Sequence, residues 1–475
     1  MELPYDEKDI SSIFNYSRRL VNKCLRDFTD TTHEYKGKGG LGQLVEKVLF
    51  KYDLNNRQEA DFSYIGTELK CTPLKTTGKT NELHIKERLV CSMINYTKDW
   101  DKPFDKSHFY QKCLTMLILF YLHEKGISKL DLKFLFIVLW RIPEKDLLII
   151  RQDYDVIINK IRNGMAHTLS EGDTMYLGAC RKGSKGDSLM EQHNSTIGAP
   201  RRAWSLKTAY MRTVLEEVKQ YNKDGAYCNY EPFAHTKKDL FSIEELRHSS
   251  IEDIITARFA PYIGKTYSEI CDLLALNRTA AKSKYFVITN AIAGHNKTGN
   301  INRSEEFTKA GIIVKTIRLN KNGNIKESMS FENIDYQEIA DCNEWTESRL
   351  YEIFTSRFML VVYKETDSVL TLSESGKRQE PEYALHKVFF WTMPQTDLCI
   401  AEEYWENIRQ CVLTNHISPE YFWSIKDNRN FHVRPKAQVA NDMTANPNGG
   451  ETRKYCYWFN NKYIKKIVAN ELQPE

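Results

Sequence analysis

Asp61, Glu68 and Lys70 stand close together in the stretch "ADFSYIGTELKCTPLK" (60–75). Side chains alternate along a strand, so Glu68 and Lys70 point to one face while Leu69 points into the core. Asp61 sits on the approach to that strand and can reach the same face. Two hard carboxylate oxygens suit Mg²⁺, which keeps several waters and takes its remaining ligands from phosphate. A cation held by Asp61 and Glu68 activates water toward a phosphodiester, and Lys70 stabilises the charge that develops. This is the minimum equipment for hydrolysing a nucleic-acid backbone without a covalent intermediate. Glu46, in the helical pattern "GQLVEKVLF", can supply a further carboxylate. A Glu-x-Lys triplet alone says little: Glu34-Tyr35-Lys36 and Glu217-Val218-Lys219 also occur, and such pairs are ordinarily solvated surface charges.

A second stretch, "EEFTKAGIIVKTIRL" (305–319), has nearly the same shape and lacks the glutamate. It belongs to a longer repeat. "KGGLGQLVE" (38–46) lies over "KSKYFVITN" (282–290), "DFSYIGTELKCTPL" (61–74) over "EFTKAGIIVKTIRL" (306–319), and "IKERLVCS" (85–92) over "IKESMSFE" (325–332). "KFLFIVLW" (133–140) lies over "RFMLVVYK" (357–364), "YLGACRKGSKGDSL" (176–189) over "NFHVRPKAQVANDM" (430–443), and "SLKTAYMRTVL" (205–215) over "WFNNKYIKKIV" (458–468). Matches in one order at similar spacing indicate two copies of one fold. In this alignment Glu46 becomes Asn290, Asp61 becomes Glu306, Glu68 becomes Ile313 and Lys70 becomes Lys315. The second copy keeps the scaffold and loses the central carboxylate, so it is expected not to hold the metal.

The elements that must position these residues can be read coarsely. Residues 5–30 and 39–51 carry helical spacing, 62–75 and 87–94 read as strands joined by the polar turn "KTTGKTNE", and "FLFIVLW" (134–140) reads as a buried strand. "EKDLLIIRQDYDVIINKIRNG" (144–164) reads as a helix ending at Gly164, and "CLTMLILFYLHEK" (113–125) as a buried helix. The aperiodic, turn-rich run "NKDGAYCNYEPFAHTKKD" (222–239) is the best linker. The expected division is a catalytic domain over 1–221, a linker over 222–244 and a second domain over 245–475.

Bulk properties agree with two soluble domains. The chain has 475 residues, too many for one ordinary core, with 41% hydrophobic and 27% charged residues. A net charge of +4 permits a nucleic-acid partner without demanding one. The longest apolar run, "LTMLILFYL" (114–122), is too short to cross a bilayer, and the polar, acidic start "MELPYDEKDISS" is no signal peptide. Eleven dispersed cysteines without zinc spacing read as reduced thiols, which implies a cytoplasmic protein. The twelve histidines form no ligand spacing, and there is no Walker motif, so NTP-driven translocation is not expected.

The run "KGGLGQLVE…DFSYIGTELKCTPL" resembles the MutH branch of the PD-(D/E)xK nucleases, in which an Asp, a Glu-x-Lys and an upstream helical Glu make the active site. The likeness continues through "IRQDYDVIINKIRNG…YLGACRKG" and "SLKTAYMRTVL". Two copies, one intact and one degenerate, resemble the Sau-three-A-type type II restriction endonucleases over essentially the whole chain. The resemblance implies an α/β, mixed-sheet, restriction-endonuclease-like fold in two tandem copies. It implies Mg²⁺-dependent cleavage of double-stranded DNA at GATC, with Asp61 and Glu68 holding the metal, Lys70 catalytic and Glu46 auxiliary. It further implies base-reading loops of the form R-P-K. Arg434-Pro435-Lys436 is intact, whereas the first copy has Cys180-Arg181-Lys182, matching only at Lys182. Arg181, Lys182, Lys207, Tyr210, Arg434 and Lys436 are the expected DNA-binding residues. The expected enzyme is a monomer in solution that dimerises on DNA, with a partner methyltransferase and no membrane association. The alternatives are a MutH-like nicking enzyme of mismatch repair and a catalytically silent DNA-binding protein.

Overall fold

The computed structural model describes residues 3–30, 40–51, 59–77, 82–183, 187–229, 239–294, 300–367, 381–435 and 442–472. They group into two compact units, Met1–His248 with Thr308–Gly311, and Ser249–Phe307 with Ile312–Glu475.

The first unit is built around two sheets. Strands β1 (Thr67–Thr77), β2 (Glu82–Ile85), β4 (Thr115–Leu122), β5 (Phe134–Arg141) and β10 (Ala226–Cys228) form a mixed sheet in the order β10-β5-β4-β1-β2. Strands β3 (Leu89–Met93), β6 (Leu177–Arg181) and β9 (Arg202–Leu206) form a second sheet in the order β3-β9-β6, and β7 (Met190–Gln192) pairs with β8 (Ser195–Ala199) in a hairpin. Helices α1 (Ile10–Ser17) and α2 (Gly40–Val48) bury Ile13, Leu41, Leu44, Val45 and Val48 against Leu69, Leu117, Leu119 and Ile137 of the first sheet. The α2 residues follow the three- and four-residue spacing of a helix with one apolar stripe. Helix α3 (His108–Cys113) leads directly into β4. Helix α4 (Glu144–Arg162) starts after Pro143, carries Glu144 and Asp146 in its first turn, and stops before Gly164 at φ +69°. Helix α5 (Thr208–Tyr221) follows β9.

The second unit repeats this plan. Strands β11 (Ile313–Leu319), β13 (Phe358–Glu365) and β14 (Tyr383–Trp391) form one sheet, with β11 parallel to β13 as β1 is to β4. Strands β12 (Met329–Asn333), β15 (Phe431–Arg434) and β18 (Cys456–Phe459) form the other, in the order β12-β18-β15. Strands β16 (Met443–Ala445) and β17 (Glu451–Arg453) supply the hairpin. The mixed α/β architecture in two copies is as expected from the sequence.

The structure differs from the sequence reading at several elements. Residues 115–122 form β4 rather than a helix; Met116–Phe120 are fully buried, and a strand covered on both faces shows an unbroken apolar run. Buried strands of this kind share one apolar pattern. Strand β13, with "RFMLVVYK", therefore takes the place of β4, and β14 that of β5. Residues 5–30 hold one short α-helix followed by 3-10 turns. The turn "KTTGKTNE" joins β1 to β2, Leu74 pairing with Ile85, whereas residues 89–93 pair with β9 in the other sheet. Part of that turn, residues 78–81, lies outside the described residues. Within the expected linker, Ala226–Cys228 is the edge strand of the first sheet, and Asn229 fastens it by two hydrogen bonds to the Arg141 backbone, at 2.6 and 2.7 Å. The division between units accordingly falls after His248 rather than across 222–244.

Candidate active site

The approach to β1 doubles back on itself. Gly66 takes φ +61°, a left-handed conformation that a side chain disfavours. Phe62 N–H donates to Thr67 O at 3.0 Å, and Thr67 N–H donates to Phe62 O at 3.3 Å. This turn brings Asp61 beside the strand: Leu69 N–H donates to Asp61 Oδ2 at 2.9 Å, and Asp61 N–H donates to Glu68 Oε2 at 3.3 Å. Leu69 is in the core, and Glu68 and Lys70 share the opposite face, as strand alternation requires.

Glu68 is buried, and two cations meet its Oε1. Lys70 Nζ lies 2.8 Å away and also donates to Cys91 O on β3 at 3.0 Å; Lys112 Nζ lies at 3.3 Å. Lys112 was not anticipated from the sequence. It sits on α3, immediately before β4, and β4 runs parallel to β1 with Glu68 opposite Met116. Reading residues 113–125 as a helix hid the geometry that delivers this lysine.

Glu46, half-buried on α2, completes the cluster. Burial, then the charges of Asp61 and Glu68, push its carboxyl up from 4.5 to about 7. Burial and Glu68 also raise Asp61, although the Leu69 N–H works the other way. Burial opposes the charge on Lys70, but Glu68 and the neighbouring thiols Cys113 and Cys91 outweigh it and hold its pKa above the usual lysine value. Lys70 is thus a fixed cation at neutral pH. Among the described residues no three His, Cys, Asp or Glu side chains close into a protein-only metal cage. A Mg²⁺ site of one or two carboxylates completed by water and phosphate needs no such cage. The mutual repulsion of Glu46, Asp61 and Glu68 fits a cation held by Asp61 and Glu68.

That repulsion has a thermodynamic signature. Glu46 binds its proton more tightly folded than unfolded, so its contribution to stability is fully present below about pH 4.5 and lost as pH rises to about 7. In chelator, the wild-type melting temperature should fall over this window. Glu46→Gln should flatten the fall and be the more stable protein at pH 8, and Mg²⁺ should restore much of the wild-type loss. Equal slopes in the two proteins, read by thermal melts at a series of pH values, would contradict a shared carboxylate pocket.

The second unit shows what the fold does without these charges. Lys315 Nζ donates to Ser330 O at 2.7 Å, as Lys70 does to Cys91 O. Ile313 stands where Glu68 does. Asn302 Oδ1 accepts Val314 N–H at 3.1 Å, the bond that Asp61 makes with Leu69. The counterpart of Asp61 is therefore Asn302 rather than Glu306, because the helix Glu305–Ala310 is inserted between Asn302 and the strand. Asn290 accepts Ile301 N–H at 3.1 Å. Two amides and an isoleucine replace three carboxylates, while the lysine is retained.

The expected DNA-binding residues divide. Arg181 is exposed and Lys182 half-exposed at the end of β6, with Lys182 N–H donating to Arg201 O at 2.8 Å. Arg434 is exposed at the end of β15, its guanidinium 4.0 Å over the Trp458 ring. Lys436 lies outside the described residues. Lys207 does not project outward: its Nζ donates to Thr174 O. Tyr210 is a correction. It is fully buried and its hydroxyl donates to Asp146 Oδ2 at 3.0 Å, just as Tyr463 donates to Asp397 at 2.8 Å in the second unit. Both tyrosines tie their helix to the start of the long helix after Pro143 or Pro394, so they are core residues.

Comparison with known proteins agrees with this geometry. The family model described as DNA mismatch repair enzyme MutH matches residues 50–153. The type II restriction enzyme Sau3AI of Staphylococcus aureus is 29% identical over 97% of this chain and 98% of its own. The DNA mismatch repair protein MutH of Shewanella amazonensis is 27% identical over 39% of this chain and 82% of its own, and that of Shewanella woodyi 24% identical over 46% and 96%. The MutH match spans the strand that bears Asp61, Glu68 and Lys70, and the likeness to the restriction enzyme runs through both units.

Proposed function

We propose that the protein is a type II restriction endonuclease that hydrolyses both strands of DNA at GATC with Mg²⁺. The observation that carries this reading is the contrast between units: Glu46, Asp61 and Glu68 all interact with the charge of Lys70 in the first, and Asn290, Asn302 and Ile313 take their places in the second, where Lys315 is kept. Surface charges have no reason to differ so consistently at equivalent places. A MutH-like nicking role accounts for one unit only, since the relatives of that name cover less than half of this chain. The GATC target rests on the resemblance to Sau-three-A-type enzymes, as do a partner methyltransferase and a cytoplasmic setting.

Asp61 and Glu68 would hold the metal, with Glu46 supporting them from α2. When bound there, a divalent cation would supply Lewis-acid stabilisation of the phosphate and lower the pKa of water. Lys70, kept protonated by Glu68, stabilises charge on the phosphate and does not take the proton. The Cys91 carbonyl and Glu68 orient its ammonium, and Lys112 is a second counter-ion at the same Glu68 oxygen. Arg181 and Lys182 face the DNA from the end of β6.

One working site per chain cannot cut two antiparallel strands at once. Two chains placed by two-fold symmetry on the palindrome would do so, and a second DNA site bound by the degenerate unit would raise their local concentration. The expected result is a cleavage rate that rises more steeply than linearly with enzyme, with few nicked circles, and faster cutting of two-site than one-site plasmids. Time courses on both plasmids at several enzyme concentrations test this. Linear dependence, equal rates and full accumulation of nicked circles would leave sequential nicking by a monomer.

A further inference from the structure

Asp153 is a buried carboxylate that the chemistry above does not use. It projects from the middle of α4 and is 3% exposed. Its Oδ1 accepts Met175 N–H at 2.6 Å, and its Oδ2 accepts Tyr176 N–H at 2.6 Å and Leu177 N–H at 2.8 Å. Three consecutive backbone donors are thus gathered on one side chain, and charge-assisted bonds of this kind are the strong ones. They lie at the entry to β6, the strand whose far end carries Arg181 and Lys182. The rest of the strand is held as firmly. Arg202 donates to Ala179 O at 2.6 Å and also to Leu169 O, while Lys207 N–H donates to Tyr176 O at 3.0 Å. Strand β6 pairs with β9, and β9 with β3, whose Cys91 carbonyl orients Lys70. One carboxylate therefore anchors the strand that leads to the exposed cations, in the same sheet that supports the catalytic lysine.

The second unit ties the equivalent strand from the same helical position by different chemistry. Tyr404 stands ten residues after Pro394, as Asp153 stands ten after Pro143. Its hydroxyl donates to His432 O at 2.7 Å, within β15, the strand that ends in Arg434. A tie from the long helix to the recognition strand is thus present in both copies, although neither side chain resembles the other.

We infer that Asp153 is a positioning residue for DNA recognition: by clamping Met175–Leu177 it sets where Arg181 and Lys182 meet the bases. This rests on the reading of the first unit as a GATC endonuclease. Asp153 acts through the strand and touches neither DNA nor metal. Its loss should therefore appear in KM and in discrimination between sites, with little change in the chemical step.

The test uses the full-length chain, wild type and Asp153→Asn, on GATC duplexes and on duplexes with one base pair of the site changed. Asparagine keeps the shape but turns an N–H₂ toward backbone donors. The expected result is a KM raised about tenfold, kcat at saturating DNA within about threefold of wild type, and preference for GATC over the altered site reduced about tenfold, the scale of one well-placed base contact. Unchanged discrimination with activity lost only in proportion to the folded fraction, measured by thermal melting, would overturn the proposal. If Asp153→Asn does not fold, Asp153→Ser, whose hydroxyl and an admitted water can take the same N–H groups, carries the same readouts. Failure of both to fold would make Asp153 a residue of the fold alone and would likewise overturn the proposal. A wild-type protein that shows no preference for GATC would instead reject the functional reading on which this rests.

Discussion

Asp61→Asn is expected to stop DNA cleavage while leaving the fold intact. The second unit has already made this substitution: Asn302 accepts Val314 N–H at 3.1 Å in the place where Asp61 accepts Leu69 N–H at 2.9 Å. The amide can keep the hydrogen bond that closes the Gly66 turn and loses only the charge. Burial and Glu68 make that charge costly to maintain without a cation, as the raised pKa of Asp61 reflects. Its removal should relieve repulsion in the metal-free protein and weaken metal binding. We expect the single-turnover rate to fall at least about a thousandfold, ~4 kcal/mol on the barrier. The melting temperature in chelator should be unchanged or higher. A rate within about tenfold of wild type would remove Asp61 from the metal site.

Lys70→Ala should also inactivate, but here the fold is affected. A Glu-x-Lys pair is ordinarily a solvated surface pair whose loss costs little. The structure instead holds Lys70 between Glu68 and Cys91 O, with its side chain 16% exposed. Truncation leaves a buried carbonyl without its donor, a loss on the order of 1–3 kcal/mol. Lys112, 3.3 Å from the same Glu68 oxygen, keeps that carboxylate from being stranded. Lys112→Ala should therefore slow cleavage less, by about ten- to a hundredfold, because Lys70 remains at its post. The double variant should lose more stability than the two losses added together, since it leaves Glu68 buried without a counter-ion. Single-turnover rates and thermal melts of all three variants decide this. Lys112→Ala cleaving more slowly than Lys70→Ala would exchange the roles given to the two lysines.

The core of the site was legible because its geometry is local. A period of two puts Glu68 and Lys70 on one face, and Gly66 supplies the reversal that returns Asp61 to it, so short-range rules suffice. Glu46 was legible from the helical stripe of α2. Lys112 was not, because its place depends on β4 running parallel to β1, and an unbroken apolar run does not say whether it is strand or helix. The counterpart of Asp61 was misplaced for a related reason: alignment without gaps chose Glu306, while the fold absorbs an inserted helix and uses Asn302. Tyr210 shows the limit of residue type as a guide. An aromatic near basic residues suits a nucleic-acid surface as well as a core, and only its burial and its bond to Asp146 separate the two. Strand Ala226–Cys228 looked like linker because a three-residue edge strand carries too little pattern to stand out from the turns around it.

In the proposed function, the carboxylates of the first unit hold a metal with which the chain cuts DNA at a defined sequence. The most direct test is cleavage of two otherwise identical linear duplexes, one with a single GATC and one with that site scrambled, in Mg²⁺ and in chelator. One pair of double-strand products is expected from the GATC duplex in Mg²⁺ and none in the other three reactions. Cutting in chelator, or equal cutting of both duplexes, or intact GATC duplex in Mg²⁺ with protein that is folded and binds it, would rule out metal-dependent cutting at GATC.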